Sequence, residues 1–351
     1  MSLVLHVDGD RWRNHLRETH AASPGLVPVA KGNGYGLSVG RLARRAQWLG
    51  VDTLAVGTYP ELPEVVQRFD GDLLVLTPWR ATDPPLAAAA ERVVHTVSRG
   101  DDLVVLLERN PRARFVLERA TSMLRHGMTA RELWDAARVV RSTRGARCEG
   151  VALHLPLGRG GNLAEAERLL TEVVGADLPG AARRTVYVSH LSRAELGTLT
   201  QRWPDLVVRP RIGTSLWLGD RDALRVSAEV LDAHELPRGT AFGYRGRSFA
   251  RSGHLLVVSG GTAHGIGLEA PTGDLGARGR AATLARGGLG ALGLVRSPFF
   301  VDGAQRLFAE PPHMQASMLF VPAGDRVPAV GDRVDVRVRY TTTTADRVEI
   351  D

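Results

Sequence analysis

The chain has 351 residues, 44% of them hydrophobic and 24% charged, and carries a formal net charge of +7. At roughly 150 residues per domain that length suggests about two domains, although α/β barrels run to about 200–250 residues as one. The basic residues are scattered in pairs such as Arg44-Arg45 and Arg183-Arg184, interleaved with acids, and no Lys/Arg-rich run tracks a phosphate backbone. Such spacing argues against nucleic-acid binding and leaves an anionic substrate or cofactor as one account of the sign. A single cysteine, Cys148, excludes an intrachain disulfide and fits a reducing cytoplasm. Neither a signal-peptide pattern nor the ~20-residue apolar run of a membrane span is visible, so a soluble cytoplasmic protein is expected.

Residues 3–8 alternate like a strand and lead into a helix over 10–19. After that, short apolar runs, turns and helical stretches repeat. Strands are expected at 26–30, 53–57, 72–77, 92–97, 114–117, 148–154, 185–190 and 206–211, with helices among them at 39–49, 61–68, 131–142 and 163–174. Eight such units predict a (β/α)8 barrel over 1–225, with an open doubly wound sheet as the alternative. From about Ser227 the texture changes to Val- and Gly-rich segments (254–259, 316–322, 333–340) separated by Gly/Pro turns. These predict a second, mostly β domain over 226–351. Within it, the Gly/Ala/Arg-rich stretch 275–290 reads as a flexible loop.

Lys31 is the only lysine in the chain. A guanidinium carries surface charge as well as an ammonium does, yet stays protonated and cannot condense with an aldehyde; an amine can. Lys31 follows the apolar run 26–30 and precedes the turn Gly32-Asn33-Gly34, where a barrel strand would open into an active-site loop. An arginine-biased composition is the bland explanation for the solitary lysine.

The stretch Lys31-Gly32-Asn33-Gly34-Tyr35-Gly36 resembles the Lys-Ala-Asn-Ala-Tyr-Gly signature of the alanine racemase family, with two glycines replacing alanines. That family binds pyridoxal phosphate (PLP) as a Schiff base on a (β/α)8 barrel followed by a β domain. The resemblance implies Lys31 as the PLP-bearing base and Tyr35 as a phosphate ligand. Ser122-Met123-Leu124-Arg125 is similar to Gly-Met-x-Arg, which implies that Arg125 contacts cofactor and substrate carboxylate. Glu118 stands where the family often has a carbamylated lysine that orients this arginine. His154, ending Glu149 to His154, matches a Glu-Gly-x-x-x-His pattern; Ser192 matches a phosphate-binding serine, though the preceding asparagine is missing. Arg211-Ile212-Gly213-Thr214 resembles Arg-Pro-Gly-Ile, which implies Arg211 at the pyridine nitrogen and the backbone N–H groups of Gly213 and Thr214 at the phosphate. An arginine there discourages ring protonation and so weakens the electron sink. Tyr340 matches a further phosphate-binding tyrosine. Taken singly these residues have ordinary readings: a surface ion pair, a core histidine, a helix N-cap at Ser192, strand packing at Tyr340.

The pattern breaks in the β domain. Where the family carries Gly-Tyr-Ala-Asp-Gly, with the tyrosine serving as second base from the other subunit, this chain has Gly261-Thr262-Ala263-His264-Gly265. A threonine hydroxyl is far too weak an acid to replace a phenol of pKa ~10. Were the segment extended, His264 would share a face with residue 262 and become a candidate second base; otherwise it replaces the aspartate. Tyr244 and His313 are further candidates. Met314, in Pro311 to Gln315, matches the family's Met-Asp stretch at the substrate wall, with Gln315 in place of the aspartate. The resemblance therefore implies a homodimeric PLP-dependent amino-acid racemase or epimerase, with a substrate other than alanine open and no metal. Decarboxylation on the same scaffold, or PLP binding without turnover, are the alternatives.

Overall fold

The structure is a computed structural model that describes residues 2–83, 90–157, 161–268 and 295–351. The stretch 275–290 read as a loop lies outside the described residues. Strand β1 (Leu3–Val7) and helix α1 (Gly9–Ala21) precede a run of strands and helices: β2 (Val27–Ala30), α2 (Val39–Leu49), β3 (Thr53–Val56), α3 (Leu62–Val66), β4 (Asp72–Val75), β5 (Val93–Val97), α4 (Gly100–Arg109), β6 (Arg114–Arg119), α5 (Ala130–Ser142), β7 (Arg147–His154), α6 (Asn162–Gly175), β8 (Thr185–Ser189), α7 (Arg193–Arg202), β9 (Val207–Ile212) and α8 (Thr214–Trp217). Strands β2 to β9 form a closed parallel barrel, β9 pairing back onto β2. They are the eight segments expected from the sequence.

Short, almost fully apolar runs form these strands because a parallel sheet is covered on both faces. Inward side chains Val27, Val29, Ala55, Leu74, Val94, Val116, Ala152 and Tyr187 pack into one interior cluster. The outward side chains meet the helices in a larger core that includes Phe115, Leu117, Leu153 and Leu169. Because strand side chains alternate with period two, the next inward positions towards the C-terminal end are Lys31, Gly57, Glu118, His154, Ser189 and Arg211. Register alone thus assembles the mouth of the barrel.

The opposite end is closed by ion pairs. Arg114 bonds Asp72 (2.5 Å) and Glu149 (2.8 Å), while Arg209 pairs with Asp52 and reaches Thr53 Oγ1 at 3.2 Å. Glu149 reaches Arg114 at a bulge: Cys148 pairs with Phe115 but Gly150 with Val116, so one residue is extra on β7. Cys148 is free and partly buried, and burial pushes its thiol up to about 12.

The second unit contains β10 (Leu224–Leu236), β11 (Gly253–Ser259), β12 (Arg296–Val301), β13 (Ala304–Phe308), β14 (Ala316–Pro322), β15 (Arg333–Val336) and β16 (Arg347–Ile350). Here β11 pairs with both β14 and β10, closing β10, β11, β14, β13, β12 and β15 into a ring. The chain does not divide at 225/226. One unit comprises Met1–Trp12, Tyr35–Leu37 and Asp220–Asp351; the other comprises Arg13–Gly34 and Ser38–Gly219. The physical reason is β1, which pairs antiparallel with β10 and parallel with β16, so the first strand belongs to the β-rich sheet. The stretch 333–340 is strand only to Val336, and Tyr340 lies in a turn. Among the described residues, no helix is long and apolar enough to cross a membrane.

The bulge makes one position intolerant. Gly150 has φ +147°, and a Cβ there would lie 2.5 Å from the Thr185 carbonyl oxygen, a backbone atom that cannot yield. Gly150→Ala is expected to cost ~2–3 kcal/mol, read as a lowered midpoint of urea unfolding without a change in slope.

Candidate active site

Lys31 leaves the end of β2 into a glycine turn. Gly34 N–H donates to the Lys31 carbonyl at 3.1 Å, and a Cβ on Gly34 (φ +62°) would sit 2.5 Å from Val39 N. Glu61 secures the turn: its carboxylate accepts from Gly32 N–H (2.7 Å), Gly57 N–H (2.7 Å) and Thr58 N–H (3.1 Å). Gly57 packs against the lysine stem, where an added Cβ would be 2.9 Å from Lys31 Cβ. The Lys31 side chain opens to solvent at the mouth. Its pKa is lowered by partial burial first, then by the guanidinium groups of Arg125 and Arg211, with Glu61 opposing.

Arg211 is buried one layer in and donates from Nη2 to the Leu153 carbonyl at 3.0 Å. Burial pulls its pKa down to about 10, Glu118 opposing, so it stays charged at neutral pH. Glu118 is equally buried, and desolvation raises its pKa against the pull of Arg211, Arg125 and Arg80. The expected partnership of Glu118 with Arg125 is thus electrostatic, and Arg211 is its stronger counterpart. His154 Nδ1 lies 3.2 Å from Ser189 Oγ, and burial followed by the nearby cations takes its pKa down to about 3. It is therefore neutral near pH 7. His190 packs beside it, ring centroids 5.1 Å apart, at φ +62° with Nδ1 on the Leu155 carbonyl (2.7 Å).

Arg125 projects from the loop after β6. Ser122 ties that loop to α6, donating to Glu165 from N (2.6 Å) and Oγ (2.6 Å). Arg125 is exposed, and among the described residues it has no ion pair. Beyond β9, Gly213 caps α8, and its carbonyl accepts from Leu216 and Trp217 N–H; the first N–H groups of a helix lack intrahelical partners. The Trp217 indole N–H donates to the Val29 carbonyl at 2.8 Å, fixing this turn against β2. Ser192 is the N-cap of α7, accepting from Glu195 N–H at 3.2 Å in a capping box, which leaves its hydroxyl hydrogen to donate to a ligand.

The remaining candidates lie in the β-rich unit. Tyr35 is buried at φ +57°, in the same unit as Tyr340, whose ring carries Arg221 at 5.3 Å. Met314 is exposed, and Tyr244 and His313 lie side by side. His264 does not fulfil the expectation of a second base. Residues Thr262–His264 form a 3-10 turn, not an extended segment. Its ring is buried, with Nδ1 accepting from Gly261 N–H (3.2 Å) and Nε2 on Asp346 (3.0 Å), so both nitrogens are committed inside the unit.

The barrel mouth fits PLP by its orphan atoms. Among the described residues, Arg211 Nε and Glu118 Oε2 are buried without hydrogen-bond partners. A stranded buried polar group costs about 1–3 kcal/mol. An aromatic nitrogen that accepts would relieve Arg211, and the amine beside it suits an aldehyde. Sequence reading missed Glu61 and His190. The first was legible as a Thr58-x-x-Glu61 capping box, whereas nothing local marks a histidine that will adopt a left-handed backbone.

The sequence profile described as alanine racemase, N-terminal domain, matches residues 7–196. The alanine racemase of Mycolicibacterium vanbaalenii is 30% identical over 276 residues, covering 72% of this chain and 68% of that protein. Among solved structures, alanine racemase from Bartonella henselae with covalently bound pyridoxal phosphate superposes at TM-score 0.70 with 17% identity, over 97% of this chain and 91% of the other. Histidine racemase from Leuconostoc mesenteroides superposes at TM-score 0.71 with 16% identity, over 99% and 97%.

Because Lys31 is the sole lysine, trinitrobenzenesulfonate labelling, quantified on the isolated peptide that carries it so that the α-amine is kept apart, reads the titration of its ε-amine. The midpoint is expected below the ordinary lysine value of ~10.4. Glu61→Gln removes the one carboxylate that favours the ammonium and moves the midpoint lower still; a midpoint that rises would contradict the assigned field.

Proposed function

The chain belongs to the alanine racemase family, and we propose that it is a PLP-dependent amino-acid racemase or epimerase, acting as a cytoplasmic homodimer with shared sites. The observation that carries this reading is the pairing, at one barrel mouth, of a lone amine with a charged arginine whose buried Nε–H has no partner among the described residues. When bound, PLP supplies an aldehyde for amines and a ring that withdraws charge from the α-carbon.

The residues then take these roles. Lys31, its pKa lowered, removes or returns the α-proton on one face. Arg211, charged at neutral pH and with a buried Nε–H that has no partner among the described residues, would hold the ring nitrogen and oppose its protonation. Arg125, free of ion pairs among the described residues, faces a substrate carboxylate. His154 stays neutral and adds no further positive charge beside Lys31 and Arg211. Tyr35, Ser192, Gly213, Thr214 and Tyr340 would hold the phosphate, and Met314 the substrate wall. Burial of Glu118 between guanidinium groups sets the charge balance of the pocket.

Alanine is not fixed as the substrate. Thr262 and Gln315 replace the family's tyrosine and aspartate in the β-rich unit, and one protein of this fold is a histidine racemase. A lone, partly buried cysteine supports a reducing compartment.

With PLP and heavy water, a panel of L- and D-amino acids is expected to reveal α-deuterium incorporation with inversion for at least one. Lys31→Ala should lose the cofactor's absorption band and slow exchange by roughly 10²–10⁴-fold. Carbon dioxide release without inversion would make the enzyme a decarboxylase, and exchange with no amino acid would leave a PLP-binding protein.

A further inference from the structure

A hollow of ≈600 Å3 lies wholly within the β-rich unit, between the turn that precedes β10, strands β10 and β15, and the β12–β13 connection. Sites for small molecules run to about 300–1,000 Å3. Of the residues assigned to PLP above, only Tyr340 lines it. Strand register explains its polar wall. Asp335 pairs with Ser227 and with Phe300, so Arg225 and Arg337, each two residues from a paired position, share that face of the sheet. Val226, Val334 and Val336 fall at the alternate positions and are buried.

Three cations, Arg221, Arg225 and Arg337, line the hollow against one acid, Asp335, which leaves two positive charges in excess. Arg225 is taken up by Asp335 at 2.6 Å. Among the described residues the other two have no ion pair, and each lies on an aromatic ring. Arg337 sits over Phe300 at 4.2 Å, and Arg221 over Tyr340 at 5.3 Å. A ring face attracts a guanidinium but does not neutralise it. It also restrains a long side chain before any ligand arrives, which removes part of the ordering cost of binding. The excess is particular to this hollow. An adjoining one of ≈390 Å3 shares Phe300, Gly303 and Asp335, and balances Arg326 and Arg333 with Asp302, Asp332 and Asp335.

We propose that the larger hollow binds a small phosphate ester, with the phosphoryl oxygens on Arg221 and Arg337 and the organic part against Phe300, Leu224 and Val338. A phosphate monoester carries about −1.5 to −2 at pH 7 and answers both free cations, whereas a monocarboxylate would leave one unanswered. The guanidinium N–H groups form a fork that takes phosphate oxygens in pairs.

Phenyl phosphate, with inorganic phosphate beside it, is the probe for calorimetric titration of the cofactor-free and the PLP-loaded protein. Phenyl phosphate is expected to bind one site in both forms with Kd below ~1 mM, and inorganic phosphate more weakly. Arg221→Gln and Arg337→Gln should each weaken phenyl phosphate at least ~10-fold, as loss of a charge-assisted hydrogen bond does. Asp335→Asn removes the one carboxylate of the lining and frees Arg225, so it should tighten binding by roughly 3–10-fold, a gain that a misfolded variant cannot mimic. Absence of saturable binding, or arginine variants that bind as tightly as the wild type, would overturn the assignment. Loss of binding on loading PLP would overturn it too, by placing the probe in the cofactor's own phosphate site. A protein that takes up no PLP would sink the racemase reading alone, since the cofactor-free titration still decides this one.

Discussion

Positive charge gathered at a barrel mouth that is buried only at its base is the constraint from which the site follows. Lys31, Arg125 and Arg211 all act on one another at the barrel mouth, and one buried carboxylate, Glu118, answers them. A guanidinium holds its proton across the working pH range, whereas the pKa of an ammonium yields readily to its surroundings. The field therefore resolves at the one residue able to yield, which is the only lysine in the chain. Burial is the first cause of that lysine's lowered pKa, and two members of an arginine-rich composition, Arg125 and Arg211, add to it. Glu61 limits the effect and spends most of its hydrogen bonding on backbone N–H groups of Gly32, Gly57 and Thr58.

The barrel separates stability from chemistry along its axis. At the N-terminal end of the strands, Arg114 and Arg209 are satisfied by Asp72, Glu149 and Asp52, and the charges close a plug. One layer of Val, Ala, Leu and Tyr fills the middle. At the C-terminal end the same register delivers polar groups whose partners are incomplete, Arg211 Nε and Glu118 Oε2. Satisfied charge at one end and unsatisfied charge at the other is what a parallel barrel built for a ligand should show.

What was legible in the sequence was local. The eight barrel strands were readable because each is a short buried run between turns, and Lys31 and Arg211 fall at strand ends where alternation points them inward. The allegiance of β1 was not readable, since its partners Val226 and Val348 lie at the far end of the chain and no local pattern records such pairing. His264 misled for a related reason. Extended geometry was a condition of its role, yet Gly260 and Gly265, both at positive φ, bracket a tight turn that buries the ring against Asp346. Ser192 shows the opposite: a helix N-cap was its ordinary reading in the sequence, and the structure assigns one lone pair of the hydroxyl to Glu195 N–H.

In the β-rich unit, two short segments are held together by backbone alone. Residues 260–263 run beside 313–315, with Gly260, Thr262 and Ala263 N–H groups donating to the Gln315, His313 and Met314 carbonyls. Gly261 admits this closeness, for a Cβ there would meet the His313 carbonyl at 2.1 Å. These bonds involve backbone alone and are indifferent to which of the two segments carries a titratable side chain. Glu310, buried with one oxygen against His313 Nε2 and the other accepting from Tyr244 N–H, ties the second segment down by side-chain contacts that the ladder itself does not use.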